Sequence, residues 1–472
     1  MKRAAAAVVL LTPTLALGEP LSLEQAVRRA VDHNIELAVQ HLDYALAEDA
    51  QKQAWSAYEP RLDAGVSRSS DLVNFSDPDD PVSGVPVRLG VLQALPGGGS
   101  ISLGYTGTIY DEKARDLGYD STPDLVVSLT QPLLAGALFG ARERGVTEAR
   151  FGMDRARLVL EGAVVDLVFG VENAYWSLVQ SDDAVEAAEQ SLEGARRQQE
   201  WVRERIELGF DAPSELLATD ERISLAEAEL TGAVAARRDA EARLLYLMGI
   251  DLTASDRPTI EATSSPGMGE NVPLESALER AETGSLALRL ARQALVQARR
   301  GLRYSVVDQL PSLDGTVTLR RDLGQEDVFD WWTFGLSLSM PLPGIGRITG
   351  IRSARRRVRQ AELRLQDAVQ ATHLEVEAAV REVEAARARH RLSEQGLDLA
   401  RRKYDAEVER LSRGTSTNRQ VLEFLEDRDA AARARNQGRT ALAGAEARLR
   451  RVLGEGLTDW ELSLDRLIEA AR

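Results

Sequence analysis

The chain has 472 residues, a formal net charge of −16 at neutral pH and no cysteine. An acidic balance of this size disfavours nucleic acid as a partner, because the phosphate backbone repels it. The missing cysteines exclude disulfides, thiolate chemistry and a lipid attached to an N-terminal cysteine. No later apolar run reaches the roughly 20 residues of a membrane helix, so any crossing of a membrane requires β-strands.

Residues 1–18 have the pattern of a secretory signal peptide. Lys2 and Arg3 form the basic start, a largely apolar stretch follows, and the small residues Ala16 and Gly18 precede the expected cleavage point. A short buried helix or a membrane anchor is the alternative, but the segment is short for a membrane span. Cleavage after Gly18 removes two basic residues and no acidic one, which takes the net charge from −16 to −18.

Two segments of the chain occur twice, each time without a gap. Arg142–Gly249 matches Arg347–Gly454 at an offset of 205 positions, and Leu21–Val66 matches Val272–Val317 at an offset of 251. The two offsets differ by 46, so the first copy carries 46 extra residues between Val66 and Arg142. Matches over two long spans indicate an internal duplication.

The first repeated segment predicts long helices. Apolar residues recur at spacings of three and four in both copies, which indicates a supercoiling helix with a partner seam. These residues are Val164, Leu167, Val171, Ala174 and Leu178, with the images Val369, Thr372, Val376, Ala379 and Val383. A run of about 65 residues would form a helix roughly 100 Å long. Gly209 and Gly414 interrupt the helices at equivalent places and another amphipathic helix follows each, so we expect two helical hairpins.

Between the helices the apolar period changes from helical to two. Alternating runs lie near 62–67, 125–130, 313–319 and 332–340, and the 46-residue insertion adds 87–95 and 101–109, joined by a glycine turn. Each run has roughly ten residues, the length of a tilted strand that crosses a bilayer. A soluble sandwich alternates in the same way, but long helices provide no second sheet to cover the apolar faces. We therefore expect six membrane strands per chain.

A competing interpretation folds the inserted hairpin outside the membrane, so that only four strands of each chain cross it. Arg88, taken to lie near its strand's end, and Gln93 fall on opposite faces of the first inserted strand, so one of them must point toward lipid. The turn at 96–99 would lie on the periplasmic side if the hairpin spans the membrane.

The predicted organisation follows from the repeats and the strands. A single amphipathic helix is expected from Leu21 to about Ser56, with Ser22 and Gln25 as a capping box. The predicted parts are a signal peptide at 1–18, a first repeat at 19–249 with strands within 61–131 and an inserted hairpin at about 87–109, a linker at 250–271, a second repeat at 272–454 with strands at about 311–320 and 331–340, and a C-terminal tail at 455–472.

No motif in the sequence predicts catalysis, a metal site or a cofactor. The four histidines lie far apart and none stands in an HExxH pattern, and no CxxC can exist. Gly344, Gly346 and Gly350 lack the lysine of a phosphate loop and follow a proline, which favours a turn between strand and helix. We therefore do not expect an enzyme.

The two predicted hairpin tips are candidate docking points for a partner, although each can also be a simple loop. The tip residues are Gly209, Phe210 and Asp211 in the first copy, and Gly414, Thr415 and Ser416 in the second. Polar residues just after the tips would ring the end of a tube if several copies formed one, and an acidic ring selects cations or sets a gate. These gate candidates are Glu215, Gln420, Glu423 and Glu426, for which mere solubility is the alternative.

Two further groups are candidates for contact with membrane lipid. Trp331 and Trp332 start a descending strand, and aromatic residues favour the bilayer interface. Arginines gather where each long helix begins. Contact with lipid headgroups, a solvated basic face and salt bridges between helices are the three alternative roles for them. They are Arg142, Arg144 and Arg150 in the first copy, and Arg347, Arg352, Arg355, Arg356, Arg357 and Arg359 in the second.

This pattern resembles the TolC-type outer-membrane efflux proteins over essentially the whole mature chain. The resemblance is carried by the order of the features below rather than by any single motif. They are the Leu21-Ser-Leu-Glu-Gln-Ala opening, the two helix–strand–strand–helix–helix copies, the Gln131-Pro-Leu-Leu exit from the strands, the Gly209 and Gly414 turns, and the Ser214-Glu-Leu-Leu-Ala segment.

The resemblance implies a mainly α protein with a membrane β-barrel. It implies a homotrimer whose strands share one barrel in the outer membrane of a Gram-negative bacterium and whose helices continue as a periplasmic coiled-coil tunnel. The tips would meet a periplasmic adaptor that links to an inner-membrane transporter. The chain would then be the exit duct of a tripartite efflux or type I secretion system.

Two features depart from that family's pattern. Family members usually contribute four strands per protomer, and six are counted here. The family's gate acids align with Gln420 and Glu423, so an amide replaces one acid. The alternative interpretation is a periplasmic coiled-coil adaptor or scaffold with a small soluble β-domain.

Overall fold

The computed structural model describes residues 20–72, 82–110, 112–116, 123–134, 140–209, 212–253, 261–262, 272–323, 330–340, 345–457, 460 and 462–470. The predicted signal peptide, most of the predicted linker, Phe210 and Asp211 lie outside these ranges. Within them, no helix combines the length and the apolar character that a membrane span requires. The same ranges contain no group of His, Asp and Glu side chains arranged to hold a metal ion.

Ten helices account for most of the part of the chain that the structure describes. They are α1 (Leu23–His33), α2 (Ile35–Trp55), α3 (Glu112–Asp116), α4 (Ala141–Glu207), α5 (Glu215–Leu247), α6 (Leu274–Gly284), α7 (Leu286–Val307), α8 (Ile345–Ser412), α9 (Asn418–Leu453) and α10 (Leu464–Ala470). The two predicted long helices are confirmed, because α4 has 67 residues and α8 has 68.

The strands lie between α2 and α4 and between α7 and α8, with one short pair elsewhere. They are β1 (Pro20–Leu21), β2 (Arg61–Val66), β3 (Ser69–Leu72), β4 (Val82–Ala94), β5 (Ser100–Tyr110), β6 (Asp124–Pro132), β7 (Glu261–Ala262), β8 (Ser312–Asp322) and β9 (Asp330–Ser339). Strands β1 and β7 pair in parallel, so the linker between the copies returns to the start of the first copy.

The chain divides into two compact units. The helical unit consists of Met1–His41, Val159–Arg289 and Ala368–Arg472, and the sheet unit consists of Leu42–Leu158 and Leu290–Asp367.

The sheet unit contains one antiparallel sheet in the order β2-β4-β5-β6-β8-β9. Strand β3 pairs with β4 beyond the end of β2, so β2 and β3 share one position in the sheet. The inserted hairpin β4–β5 lies between β2 and β6, which confirms six strand positions in one sheet. Among the described strands β2 pairs only with β4 and β9 only with β8, so both lie at edges.

One face of this sheet is apolar across all six positions. The strand register brings alternate apolar residues of neighbouring strands side by side, as a pleated sheet requires. They are Leu62, Val66, Val87, Leu89, Val91, Leu103, Tyr105, Val127, Leu129, Val317, Leu319, Trp332, Phe334 and Leu336. Most of these side chains are exposed in the single chain; Leu62 is 69% exposed and Trp332 is 74% exposed. Such a face needs an apolar environment.

The opposite face carries mainly small, hydroxylated and charged residues, together with Leu92, Val126 and Trp331. Ser128 and Thr318 bond through their hydroxyl groups at 3.1 Å, and Arg320 forms an ion pair with Asp124. The remaining polar and small residues of this face include Gly65, Arg88, Gly90, Ser102, Gly104, Thr106, Thr130, Thr316, Thr333 and Ser337.

The strand register resolves the conflict between Arg88 and Gln93. Arg88 pairs with Thr106 and lies on the polar face, near the middle of β4 rather than near its end as the sequence suggested. Gln93 lies on the apolar face, but it is the second-last residue of β4, and its amide donates to the Ala94 carbonyl at 3.0 Å and to the Tyr58 carbonyl. No arginine of this strand therefore has to face lipid.

The predicted seams of the long helices are buried in the helical unit except at Val369, which is 37% exposed. Val164, Val171 and Leu178 of α4 are fully buried, and so is Val376 of α8. Thr372, which matches Leu167 of the first copy at a seam position, is 5% exposed. In the second copy, the seam packs with α6 and α9 in one cluster of Ala277, Ala281, Val376, Ala379, Val380, Val383, Ala386, Leu442, Ala445, Leu449, Val452 and Leu453.

The predicted single helix from Leu21 to Ser56 is wrong, because the helix breaks at Asn34. The predicted capping box of Ser22 and Gln25 does start α1. Asn34 has an extended backbone, its amide oxygen accepts from the Leu37 N–H at 2.9 Å, and its amide nitrogen donates to the Leu247 carbonyl at 2.9 Å. A side chain that caps the next helix and anchors a distant one stabilises the interruption. Ser285 interrupts the second copy at the equivalent position.

Candidate functional site: the hairpin tips and the contacts behind them

The first tip is a glycine turn with free space around it. Gly209 has φ of +78°, and its N–H donates to the Ile206 carbonyl at 2.9 Å. A Cβ atom at Gly209 would meet none of the described atoms within 4 Å. The chain resumes at Ala212, whose carbonyl accepts from the Glu215 N–H at 3.0 Å, where α5 begins. Phe210 and Asp211, the other two predicted docking residues of this tip, lie outside the described residues.

The second tip repeats the glycine turn and adds side-chain contacts. Gly414 has φ of +74° and its N–H donates to Leu411, while the Thr415 N–H donates to Arg410 at 3.0 Å. This pair of bonds closes α8 as a Schellman motif. The Ser416 hydroxyl donates to Glu407, a carboxylate only 4% exposed that also pairs with Arg410 at 3.2 Å. Both predicted turns are thus present with the same glycine conformation.

The four gate candidates do not have equivalent environments. Gln420 forms a capping box with Thr417, in which its backbone N–H donates to the Thr417 hydroxyl and its side chain accepts from the Thr417 N–H. The exposed side chains of Glu215 and Glu423 lie in the first turns after the tips. Glu426 lies 3.8 Å from Arg222. The amide at position 420 therefore stabilises the start of α9, whereas three carboxylates remain at the surface.

A buried charged cluster connects the two hairpins behind the tips. Arg222 of α5 reaches α9, where its guanidinium lies 3.6 Å from Asp429, and it donates to the Ser191 hydroxyl of α4 at 3.2 Å. Arg428 binds the other oxygen of Asp429 at 2.8 Å and stacks over Tyr404 at 4.9 Å. Asp429 is 8% exposed. Because removal of one partner would leave buried charge unpaired, this cluster fixes the two hairpins to each other.

Ion pairs continue along both hairpins. Arg196 pairs with Glu227 at 3.0 Å within the first hairpin, and Lys403 pairs with Asp427 at 2.8 Å within the second. Arg433 of α9 pairs with Glu229 of α5 at 2.7 Å. The surface pairs are individually weak, so the apolar seam provides most of the stability.

Asp182 of α4 lies on the first hairpin, beside Arg237 of α5. Burial raises the pKa of the Asp182 carboxyl group, and the Arg237 guanidinium opposes that rise only in part. Folding therefore disfavours the ionised form of the Asp182 carboxyl group.

The tryptophans predicted for the bilayer interface point to opposite faces of the sheet. Trp332 pairs with Leu319 on the apolar face, whereas Trp331 pairs with Arg320 on the polar face. Consecutive strand residues must alternate in this way. The arginines at the helix starts divide as well, because Arg144 binds Asp308 and stacks on Tyr304, while Arg352, Arg355 and Arg356 are exposed.

The comparison with solved structures agrees with this description of the fold. The outer membrane channel CmeC of Campylobacter jejuni matches with a TM-score of 0.71 over 95% of this chain and 89% of that chain, at 16% identity. The outer membrane protein VceC of Vibrio cholerae matches with a TM-score of 0.66 over 92% and 96%, at 17% identity. The fold is therefore that of an outer-membrane channel, and the expected fold class is confirmed.

The outer membrane efflux protein family model matches residues 26–250 and 277–455. The chain belongs to this family. The match falls into two parts, one in each copy of the internal duplication. The protein is therefore an outer-membrane protein whose family and fold are those of channels, and the periplasmic adaptor interpretation is not supported.

Two curated relatives match part of the chain. Protein CyaE of Bordetella pertussis is 27% identical over 292 residues, which is 60% of this chain and 60% of that protein. The alkaline protease secretion protein AprF of Pseudomonas aeruginosa is 25% identical over 322 residues, 65% of this chain and 64% of that protein. The matched part thus spans less than two thirds of each relative.

Proposed function

We propose that the protein is the exit duct of a tripartite efflux or type I secretion system. In this role it passes substrates from a periplasmic adaptor and an inner-membrane transporter to the exterior. The observation that carries the proposal is the pair of equivalent glycine tips, Gly209 and Gly414, in a chain that also carries a six-strand sheet with one apolar face. Membership of the efflux family supports it.

The sheet requires other copies of the chain. Backbone groups at an open edge have no partner in lipid, so membrane strands must close into a barrel. The edges at β2 and β9 are left for neighbouring copies. A homotrimer with 18 strands satisfies both edges, places the apolar face toward outer-membrane lipid and leaves the hydroxylated face toward water.

The tips are the contact for the adaptor in this proposal. Gly209, Gly414 and Thr415 are exposed and lie at the turns of the two hairpins. Ser416 is held by Glu407, so the second tip presents a fixed backbone. A preformed turn loses little conformational freedom on binding, which favours association with a second helical hairpin.

The carboxylates behind the tips form the periplasmic gate in this proposal. Glu215, Glu423 and Glu426 from three copies would place nine acidic groups near one opening, which attracts cations and repels anions. Gln420 contributes helix capping instead of charge. The buried cluster around Arg222 and Asp429 keeps the two hairpins of each copy together, so its loosening would widen the opening.

The choice between efflux and secretion depends on the partner, and the name of AprF favours a protein substrate. The test is to express the protein in a bacterial strain that lacks its own duct. An adaptor and a transporter from the organism that supplies the protein are expressed with it. Secretion of a protein substrate or efflux of a dye supports the duct. A protein that reaches the outer membrane but restores neither activity with any native adaptor contradicts it.

A further inference from the structure

The internal duplication predicts a helix contact that one chain cannot make with itself. In the sheet unit, α4 of the first copy packs on α7 of the second copy. The Gln293 amide donates to the Phe151 carbonyl at 3.2 Å, and the Arg300 guanidinium lies 5.6 Å from the centre of the Phe151 ring. Farther along, Arg144 binds Asp308. The two helices are therefore antiparallel.

The matched partners of these helices are α8 and α2. The sequence offsets convert α4 positions to α8 positions by adding 205, and α7 positions to α2 positions by subtracting 251. The contact of Phe151 with Gln293 becomes Arg356 with Leu42, and the contact of Phe151 with Arg300 becomes Arg356 with Asp49. The contact of the Arg300 cation with the Phe151 ring in the α4–α7 pair thus becomes a contact of the Arg356 cation with the Asp49 carboxylate in the α8–α2 pair.

Helix α8 offers an exposed basic stripe at the predicted place. Its other side packs within the chain, where Ala354 and Ala361 are buried and Glu362 lies 3.7 Å from Arg299 of α7. On the exposed side, an open groove follows Arg356, Arg357, Arg359, Gln360, Leu363 and Arg364 and ends at the carboxylate of Asp367. Among the described residues, Arg356 has no carboxylate within ion-pair distance.

Helix α2 offers a complementary stripe. Leu42 is 65% exposed and Leu46 is 66% exposed, although Gln293, the residue of α7 equivalent to Leu42, contacts α4. Asp49 lies one turn farther on the same side and is 72% exposed, with Lys52 at 3.6 Å as its ion-pair partner. The spacing of 42, 46 and 49 is that of one helix face. A basic stripe and an apolar stripe with an acidic end are therefore both without cover in the single chain.

We propose that the basic stripe of α8 packs on the α2 stripe of a second copy of this chain, with Arg356 bound to Asp49 and Gln360 beside Leu42. The inference uses the trimer of the proposed function and identifies the seam that joins its copies. The duplication supplies the geometry, because the same helix pair is already present once within each chain. The charge complementarity selects a second copy over a lipid headgroup as the occupant.

Cysteine pairs test the seam directly, because the chain has no cysteine of its own. In the variant with Leu42→Cys and Gln360→Cys, mild oxidation should give a ladder of linked dimers and trimers that a reductant removes. Phe151→Cys with Gln293→Cys is the control for a helix contact inside one chain, and it should link within one chain without a ladder. Leu42→Cys with Val358→Cys places the second thiol on the other side of α8 and should not link. A trimer in detergent without the Leu42–Gln360 ladder overturns the seam but leaves the duct intact.

A charge exchange tests the ion pair. Arg356→Glu should weaken the association of the copies, with a roughly tenfold lower association constant at low salt. Asp49→Arg in the same chain should restore that constant. If the exchange does not restore the trimer, and Arg356→Glu instead reduces binding to phosphatidylglycerol vesicles, the stripe binds lipid and the proposal is wrong. A wild-type protein that stays monomeric in detergent would contradict the proposed duct itself.

Discussion

Arg450 of α9 binds Glu172 of α4 with a guanidinium nitrogen 2.7 Å from one carboxylate oxygen. The indole N–H of Trp460 donates to the other oxygen at 3.0 Å. Glu172 is 2% exposed, so one carboxylate of the first copy holds both the last long helix and the C-terminal tail. Charge-assisted bonds of this kind are about twice as strong as neutral ones.

Glu172→Ala should destabilise the helical unit, because it removes the buried carboxylate that accepts from Arg450 and Trp460. The expected loss is about 1–3 kcal/mol of the free energy of unfolding, since Arg450 is one third exposed and water replaces part of the bond. Thermal unfolding in detergent measures the change. Trp460→Phe removes only one of the two bonds and should cost less; an equal loss in both variants would show that the tail, and not the ion pair, carries the effect.

Four glycines with positive φ follow helices, two of them at the exposed tips and two in the packed core. Gly209 and Gly414 have open space where a Cβ would lie, whereas a Cβ at Gly249 would overlap the His33 carbonyl oxygen and one at Gly454 would overlap the Gly284 carbonyl oxygen. Alanine at a tip should cost about 1–2 kcal/mol for the left-handed backbone alone. Gly249→Ala and Gly454→Ala should cost more and reduce the yield of folded protein.

The same glycines test the docking role. Gly209→Pro or Gly414→Pro should abolish export while the trimer and its membrane insertion persist, because proline fixes φ near −65° and cannot adopt either turn. The measurement is export beside oligomer mass in detergent. Normal export by both variants would remove the tips from the docking site.

Arg222→Ala should loosen the two hairpins. It removes the guanidinium that bonds Ser191 and lies beside Asp429, so the helices behind the tips lose a buried contact. We expect higher conductance of the purified protein in planar bilayers. Arg196→Ala is the matched control, because its pair with Glu227 lies on the same hairpin but is exposed on both sides. Equal conductance of the two variants would exclude a gating role for Arg222.

Periodicity predicted the long helices, the glycine turns and all six strand positions, because each is a local pattern in the sequence. It missed Glu172 and Arg222, whose partners lie far away along the chain, so no spacing rule relates them. The helix break at Asn34 was missed for the same reason, since it is stabilised by a bond to Leu247. Glu172 directly follows the seam residue Val171, and no pattern in the sequence marked it as a buried carboxylate.

The pH dependence of stability should reflect Asp182. Its pKa is raised in the folded protein because burial outweighs the opposing effect of Arg237. The carboxyl group therefore contributes its full stability below the unfolded value of about 3.8, and the contribution is lost as pH rises through the higher folded pKa. Asp182→Asn should remove this dependence, so the gap in melting temperature between variant and wild type should change above pH 4. A gap that stays constant with pH would contradict the raised pKa.

The position of the β4–β5 turn decides whether the inserted hairpin spans the membrane. Gly97 and Gly98 have positive φ in this turn, and the Gly97 carbonyl accepts from the Gln131 amide at 3.1 Å. The turn therefore lies at the end of the sheet where β6 leads to α4, which is the periplasmic end if the helices lie in the periplasm. Because β4 and β5 lie between β2 and β6 in the sheet order, they should cross the membrane together with their neighbours.

Labelling of a single cysteine at Gly98 measures this directly. In intact cells, a membrane-impermeant maleimide should not reach Gly98→Cys, and it should react after the outer membrane is made permeable. A cysteine at Glu112, on the short helix at the opposite end of β5, is the matched control and should react from outside. Labelling of Gly98→Cys in intact cells would place the turn outside, and the chain would then contribute four strands to a 12-strand barrel instead of six to a barrel of 18.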